Sequence, residues 1–199
     1  MGYMIRLKLL SKYGNEKVVY ECRNLQSLDW SATMPISTMG LPEDYFQAAI
    51  ITKADGNTAK LNFTWVIKDE DTTPFTTITS WGGTGGLWNN APDLPHSHAP
   101  NLNTYYSRKI KTTSGSDYQS FDLKTADGQM VALSEMFEKR GFTGEDKHQF
   151  ELRNDTDGYD LFQEDGIVGR ISFQKAAQDP VTWNCSIEFT MGDVIDASV

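Results

Sequence analysis

The chain has 199 residues, of which 18 are basic and 27 acidic, and its net charge of −9 argues against a surface built to grip phosphate backbones. No run of roughly 18 apolar residues occurs, so no membrane-inserted helix is expected. The opening MGYMIRLKLLSKYG has too short an apolar core for a signal peptide, which predicts folding in a cytoplasm. The length suits a single domain with an ordinary core. Cys22 and Cys185 both fall at alternating apolar positions, which predicts buried free thiols and not a disulfide or a metal site.

In chain order, Ile5, Leu7 and Leu9 alternate with Arg6 and Lys8, Gly14-Asn15 supplies a turn, and Val18, Tyr20 and Cys22 resume an apolar face. This is an opening hairpin. From Arg23 to Leu41 the pattern loosens around Trp30, Pro35 and Gly40, predicting a covering segment or irregular strand, and Glu43 to Ala49 has the composition of one helical turn. A second long hairpin is predicted from Ala48 to Lys53, through the turn Ala54-Asp55-Gly56-Asn57, into a return strand. That return strand sets Ala59, Leu61, Phe63, Trp65 and Ile67 on one face, with Lys60, Asn62, Thr64 and Lys68 on the other.

Between Asp69 and Asp117 the periodicity nearly vanishes, which predicts a long connecting arm at about 69–118. Within it, Trp81, Trp88 and Leu94 are expected to contact a neighbouring subunit, because large apolar side chains on such an arm gain from burial in a partner's groove; the alternative is folding back on their own domain. Tyr105, Ser107 to Thr112 and Tyr118 to Lys124 read as strands, ended by Ala126-Asp127-Gly128. Met130, Leu133, Met136 and Phe137 then recur at helical spacing, predicting a short helix over about Gln129–Arg140 that ends at Gly141. Phe150 and Leu152 lead a strand into an acidic turn.

The stretch Gly166–Gly192 carries the strongest pattern. Its first arm alternates Ile167, Gly169, Ile171 and Phe173 with Val168, Arg170, Ser172 and Gln174, and Lys175 to Pro180 reverses the chain. The second arm alternates Val181, Trp183, Cys185, Ile187, Phe189 and Met191 with Thr182, Asn184, Ser186, Glu188 and Thr190. Together these elements predict a mainly β fold, an antiparallel β-sandwich or barrel-like sheet with two long hairpins and one short α-helix, in a single domain over residues 1–199.

Candidate chemistry is sparse. Arg153 to Glu164 places Asp155, Asp157, Gly158 and Glu164 at four positions of an EF-hand calcium loop, but Arg153 puts a cation where the ion needs its first oxygen, and the flanks read as strands. A turn between strands is the expectation. His96 and His98, with Asp93 nearby, have the spacing of metal ligands in an extended chain, yet their loop composition points to no metal. Gly82, Gly83, Gly85 and Gly86 lack the following Lys-Ser/Thr of a phosphate cradle, and no catalytic constellation stands out, so neither an enzyme nor a cofactor is expected. Trp81, Trp88, Tyr105 and Tyr106 also fit aromatic sugar stacking in a carbohydrate-binding module.

The two amphipathic hairpins, the short helix, the aromatic arm and the closing PVTWNCSIEFTMGDV, with Pro180, Trp183 and Gly192, resemble tail tube proteins of long-tailed viruses and related contractile injection systems. The resemblance implies a β-sandwich plus helix that assembles into stacked hexameric rings whose hairpins join around a channel. It implies a virion tail subunit assembled in the host cytoplasm, with other tail or baseplate proteins as partners and DNA only as transiting cargo. On this reading Lys60, Asn62, Thr64, Thr182, Asn184, Ser186 and Glu188 face the lumen, and the net negative charge keeps DNA from adhering. A distal-tail or baseplate ring protein shares the fold, and a carbohydrate-binding β-sandwich is the alternative from another class.

Overall fold

The computed structural model describes residues 3–11, 13–33, 36–40, 47–51, 58–78, 102–111, 118–137, 146–154, 156, 158–176 and 179–191. Among these residues twelve strands and a helix follow in order. They are β1 (Tyr3–Leu10), β2 (Glu16–Cys22), β3 (Leu25–Thr33), β4 (Ile36–Gly40), β5 (Gln47–Ile51), β6 (Thr58–Ile67), β7 (Phe75–Ile78), β8 (Thr104–Lys111), β9 (Tyr118–Asp122), α1 (Ala126–Met136), β10 (Lys147–Asn154), β11 (Tyr159–Ala176) and β12 (Asp179–Met191). Eight strands form one sheet in the order β3-β6-β12-β11-β10-β1-β2-β7, and β4-β5 and β8-β9 form separate pairs. Every pairing is antiparallel. The fold is mainly β with one short helix, as the alternation predicts.

The sheet does not lie flat. Strands β6 and β2 are five places apart in its order, which in a flat sheet would separate them by roughly 24 Å. Instead the rings of Tyr20 on β2 and Trp65 on β6 lie 6.5 Å apart, and the Trp65 indole N–H donates to the Tyr20 hydroxyl at 3.3 Å. Phe63 on β6 and Phe189 on β12 meet Phe150 on β10 at 5.7 and 6.1 Å. The sheet therefore folds over itself into a sandwich, with β3, β6 and β12 facing β10, β1, β2 and β7. Ile5, Leu7, Leu9, Tyr20, Phe63, Trp65, Phe150 and Phe189 fill the space between the layers, each with 2% exposure or less.

The corner is β11. Its first half pairs with β10 and its second half with β12, and Gly166 stands in both registers, opposite His148 and Met191. A side chain there would collide with the neighbouring layer, since a Cβ on Gly166 would lie 2.2 Å from the Thr190 carbonyl oxygen. A register shift between Val168 and Arg170 inserts one residue, so the apolar set changes parity there. Val168 opposite Phe189 is buried, whereas Ile171 and Phe173 face Ile187 and Cys185. This corrects the unbroken alternation expected from Ile167 to Phe173.

The opening hairpin β1-β2 and the closing hairpin β11-β12 form as expected. The second predicted hairpin does not: β5 pairs with β4, while β6 lies between β3 and β12. Gln47 to Ala49 belong to a strand and not to a helical turn. The connecting arm is also narrower than 69–118, because β7 joins the sheet beside β2, and β8 pairs with β9.

Helix α1 begins three residues earlier than its apolar spacing predicts. The Thr125 hydroxyl caps it by accepting from the Gly128 N–H at 3.1 Å, so Ala126-Asp127-Gly128 opens the helix. Its Gln129 donates to the Lys68 carbonyl past the end of β6 and accepts from the Tyr20 hydroxyl, while the Asp127 carboxylate accepts from the Trp183 indole at 2.7 Å. The helix thereby closes one end of the sandwich. At the opposite end Leu28, Trp30 and Leu161 stay exposed.

Gly166→Ala is expected to destabilise the protein by about 2 kcal/mol, because the clash falls on backbone and not on a flexible side-chain tip. Urea unfolding followed by tryptophan fluorescence measures it.

Candidate functional site

The outer face of the β3-β6-β12-β11 layer collects the polar halves of four alternating strands. Ser27, Thr64, Ser186 and Ser172 stand in one row across it, since Ser27 pairs with Thr64, Thr64 with Ser186 and Ser186 with Ser172. Their hydroxyls bond along the row, at 2.6 Å between Ser27 and Thr64 and 2.6 Å between Ser172 and Ser186. Asn62 lies opposite both Asp29 and Glu188, and the Lys60 ammonium meets the Glu188 carboxylate at 2.9 Å. A shallow concavity of about 240 Å³ lies among Gln26, Thr64, Ser172, Gln174, Asn184 and Ser186.

Six residues expected to share a wall, Lys60, Asn62, Thr64, Asn184, Ser186 and Glu188, are thus neighbours on one face. Thr182 lies on the same side of β12 near the hairpin end, where its hydroxyl donates to Asp179 at 2.6 Å. The Thr182 hydroxyl first, and then the Val181 backbone N–H, hold the Asp179 carboxyl below its usual range. Ser27 and Asp29 on β3, with Arg170, Ser172 and Gln174 on β11, complete the face and were not assigned to it by sequence reasoning. The alternation of Leu28, Trp30 and Ala32 with Asp29 and Ser31 carried the missing signal.

The electrostatics differ from an acidic wall. On this face Asp29 and Glu188 are matched by Lys60 and Arg170, with Arg170 directly opposite Glu188. The overall charge of −9 is carried elsewhere. An exposed pair such as Lys60–Glu188 contributes little to stability, about 0.5 kcal/mol, and both signs of charge stand on this face.

Trp81, Trp88, Leu94, Asp93, His96 and His98 lie outside the described residues. Among the aromatic residues proposed for sugar stacking, Tyr105 is fully buried and its hydroxyl donates to Glu135 at 2.9 Å, so it forms core and not a platform. The EF-hand-like segment is a hairpin turn between β10 and β11. Asn154 accepts from the Gly158 N–H through its backbone at 2.9 Å and from the Thr156 N–H through its side chain at 3.0 Å. Gly158 takes φ +72°, and Glu164 sits within β11 opposite Phe150, away from the turn. No group of three or more metal-ligating side chains occurs among the described residues.

The outer face of the other layer is built differently. Arg6 reaches Glu21 at 3.2 Å and Glu151 at 3.3 Å, and Lys8 bridges Glu151 and Glu16. Burial pushes the Glu151 carboxyl up, but the hydrogen bond and charge of Lys8, with the charge of Arg6, outweigh it and hold the group below its usual range. The cysteines are inert: burial raises the Cys22 thiol well above its ordinary value and pushes Cys185 up to about 12. No family model and no curated protein matches this chain.

Two outcomes are expected from these groups. A carboxyl depressed in the folded state stabilises above its unfolded value, about 4.3 for glutamate, and that contribution is lost as pH falls through the folded value. Glu151→Gln should therefore cost about 3 kcal/mol at pH 7, by leaving Lys8 short of its partner, and should weaken the loss of stability on acidification. Urea titrations at pH 7 and pH 3 measure both. Neither Cys22 nor Cys185 should react with an aromatic disulfide reagent at pH 8 in the native protein, and both should react in denaturant.

Proposed function

We propose that the chain is a structural subunit of a viral tail or tail-like tube, self-assembling into stacked, hexameric rings around a channel that DNA crosses during ejection. The observation that carries this reading is the polar face of β3, β6, β12 and β11, where hydroxyls bond to each other and Lys60 pairs with Glu188. A wall past which a polyanion must slide needs hydration without a net positive field, since each unmatched cation would hold a phosphate and release it only as salt rises. This face would meet that need with short polar side chains and mixed charge, not with the negative charge that composition alone implied. The edge strand β3, whose only strand partner among the described residues is β6, supplies the open hydrogen-bonding row through which sheets of adjacent subunits join into a ring.

Tyr105, one of the four aromatic residues expected to stack on sugar, is buried with its hydroxyl on Glu135, which removes it from any sugar platform. A distal-tail or baseplate ring role uses the same chemistry and differs only in whether rings stack.

Negative-stain electron microscopy across a concentration series tests the reading. Hollow tubes are expected for a tube subunit, single rings for a baseplate component, and monomers at every concentration would count against both. In assembled tubes, Asn184→Lys with Ser186→Lys should leave the tubes intact but make them retain double-stranded DNA on co-sedimentation at 50 mM salt, with release at 200 mM. Unaltered protein should retain none at either salt.

A further inference from the structure

The layer β3-β6-β12-β11 ends in two edges. On one side β3 pairs with β6, and every residue from Gln26 to Ser31 is exposed. On the other side β11 parts from β10 beyond Gly166, so from Arg170 to Ala176 its strand partner among the described residues is β12 alone. Neither edge has a second strand beside it among the described residues, and such a row of backbone donors and acceptors is a template for another chain.

Three features make the two edges complementary. Strand direction alternates across the layer, because every pairing in it is antiparallel, so β3 and β11 run in opposite directions. A second copy set beside the first in the same orientation therefore continues the sheet antiparallel. The charges match as well. Asp29, Asn62, Glu188 and Arg170 stand in one row across the layer, which leaves an exposed acidic side chain at the β3 edge and an exposed basic one at the β11 edge. Lys60 holds Glu188, and neither Asp29 nor Arg170 has an ion-pair partner among the described residues. On the apolar side the row runs Leu28, Phe63, Ile187 and Ile171, so exposed Leu28 at one edge answers partly buried Ile171 at the other. Trp30, 58% exposed, stands two residues from Leu28 on the same side.

We propose that β3 of one copy pairs antiparallel with Arg170 to Gln174 of β11 in the next copy, setting Asp29 against Arg170 and packing Leu28 and Trp30 against Ile171. The pairing rests on the assembly reading for its partner, a second copy of this chain, and names the two edges that meet. It is head-to-tail, so each copy keeps one free edge of each kind until the rotation closes. Two-fold pairing of β3 with β3 would stop at a dimer.

Charge reversal tests the pairing. Asp29→Arg in one protein and Arg170→Asp in another each set like charges across every joint, whereas an equimolar mixture of the two sets opposite charges across every joint of an alternating assembly. Each variant alone is expected to need at least about tenfold more protein to assemble than the unaltered chain, read by sedimentation velocity, and the mixture is expected to assemble as the unaltered chain does. Both positions are exposed, and circular dichroism confirms the fold. Single variants that assemble normally, or a mixture that assembles no better than its components, would overturn the edge pairing, while rings of the unaltered chain in the same series would leave the ring reading standing. Open filaments that obey the charge rule would support the pairing and overturn the ring. An unaltered chain that stops at dimers overturns the pairing, and one that stays monomeric at every concentration overturns both.

Discussion

The structure depends on one strand that belongs to two layers. With 18 residues, β11 is longer than any single partner, and each half finds a different one. The transition is possible only where the backbones of β10, β11 and β12 crowd together, and Gly166 is the residue without a Cβ at that point. Were β11 straight, the apolar faces of β6 and β12 would meet water in place of Phe150 and Tyr20. The bulge at Gly169 follows from the same bend, since a sharply coiled strand changes the parity of its faces to keep apolar residues inside.

Folding the sheet over leaves two outer faces, and the chain treats them differently. Over β1, β2 and β10 lies a network in which Arg6, Lys8, Glu21 and Glu151 are largely removed from water and pair with each other. Such a network costs desolvation and repays it in a fixed geometry, so it reads as part of the scaffold. Over β3, β6, β12 and β11 most side chains are short, hydroxylated or amidic, and Lys60 pairs with Glu188. On the reading proposed above, a wall beside a moving polyanion would use such a face.

Much of the candidate face was legible because Lys60, Asn62, Thr64, Asn184, Ser186 and Glu188 alternate with large apolar residues, and alternation fixes the side of a strand. Its completion by Ser27 and Asp29 was carried by the alternation of Leu28, Trp30 and Ala32 with Asp29 and Ser31, but Pro35 and Gly40 made the stretch read as a covering segment or irregular strand. Tyr105 shows the reverse error. A tyrosine beside a Gly- and Asn-rich stretch looks exposed, yet its hydroxyl reaches Glu135 on α1, and a buried partner 30 residues away leaves no local trace.

The sequence by itself determined which residues lie inside, that the chain is mainly antiparallel β, where its first and last hairpins turn, and that one short helix interrupts the strands. These are local properties, set by side-chain period and by turn residues between adjacent strands. Tertiary structure decided which strands are neighbours. The turn signal at Ala54–Asn57 favoured pairing β6 with the residues just before it, but β6 is held instead by β3 and β12, whose contacts bury Phe63 and Trp65 on one face and pair Thr64 with two hydroxyl rows on the other. Pairing between distant strands is won by the burial that the whole sandwich achieves, and no window of sequence contains that sum.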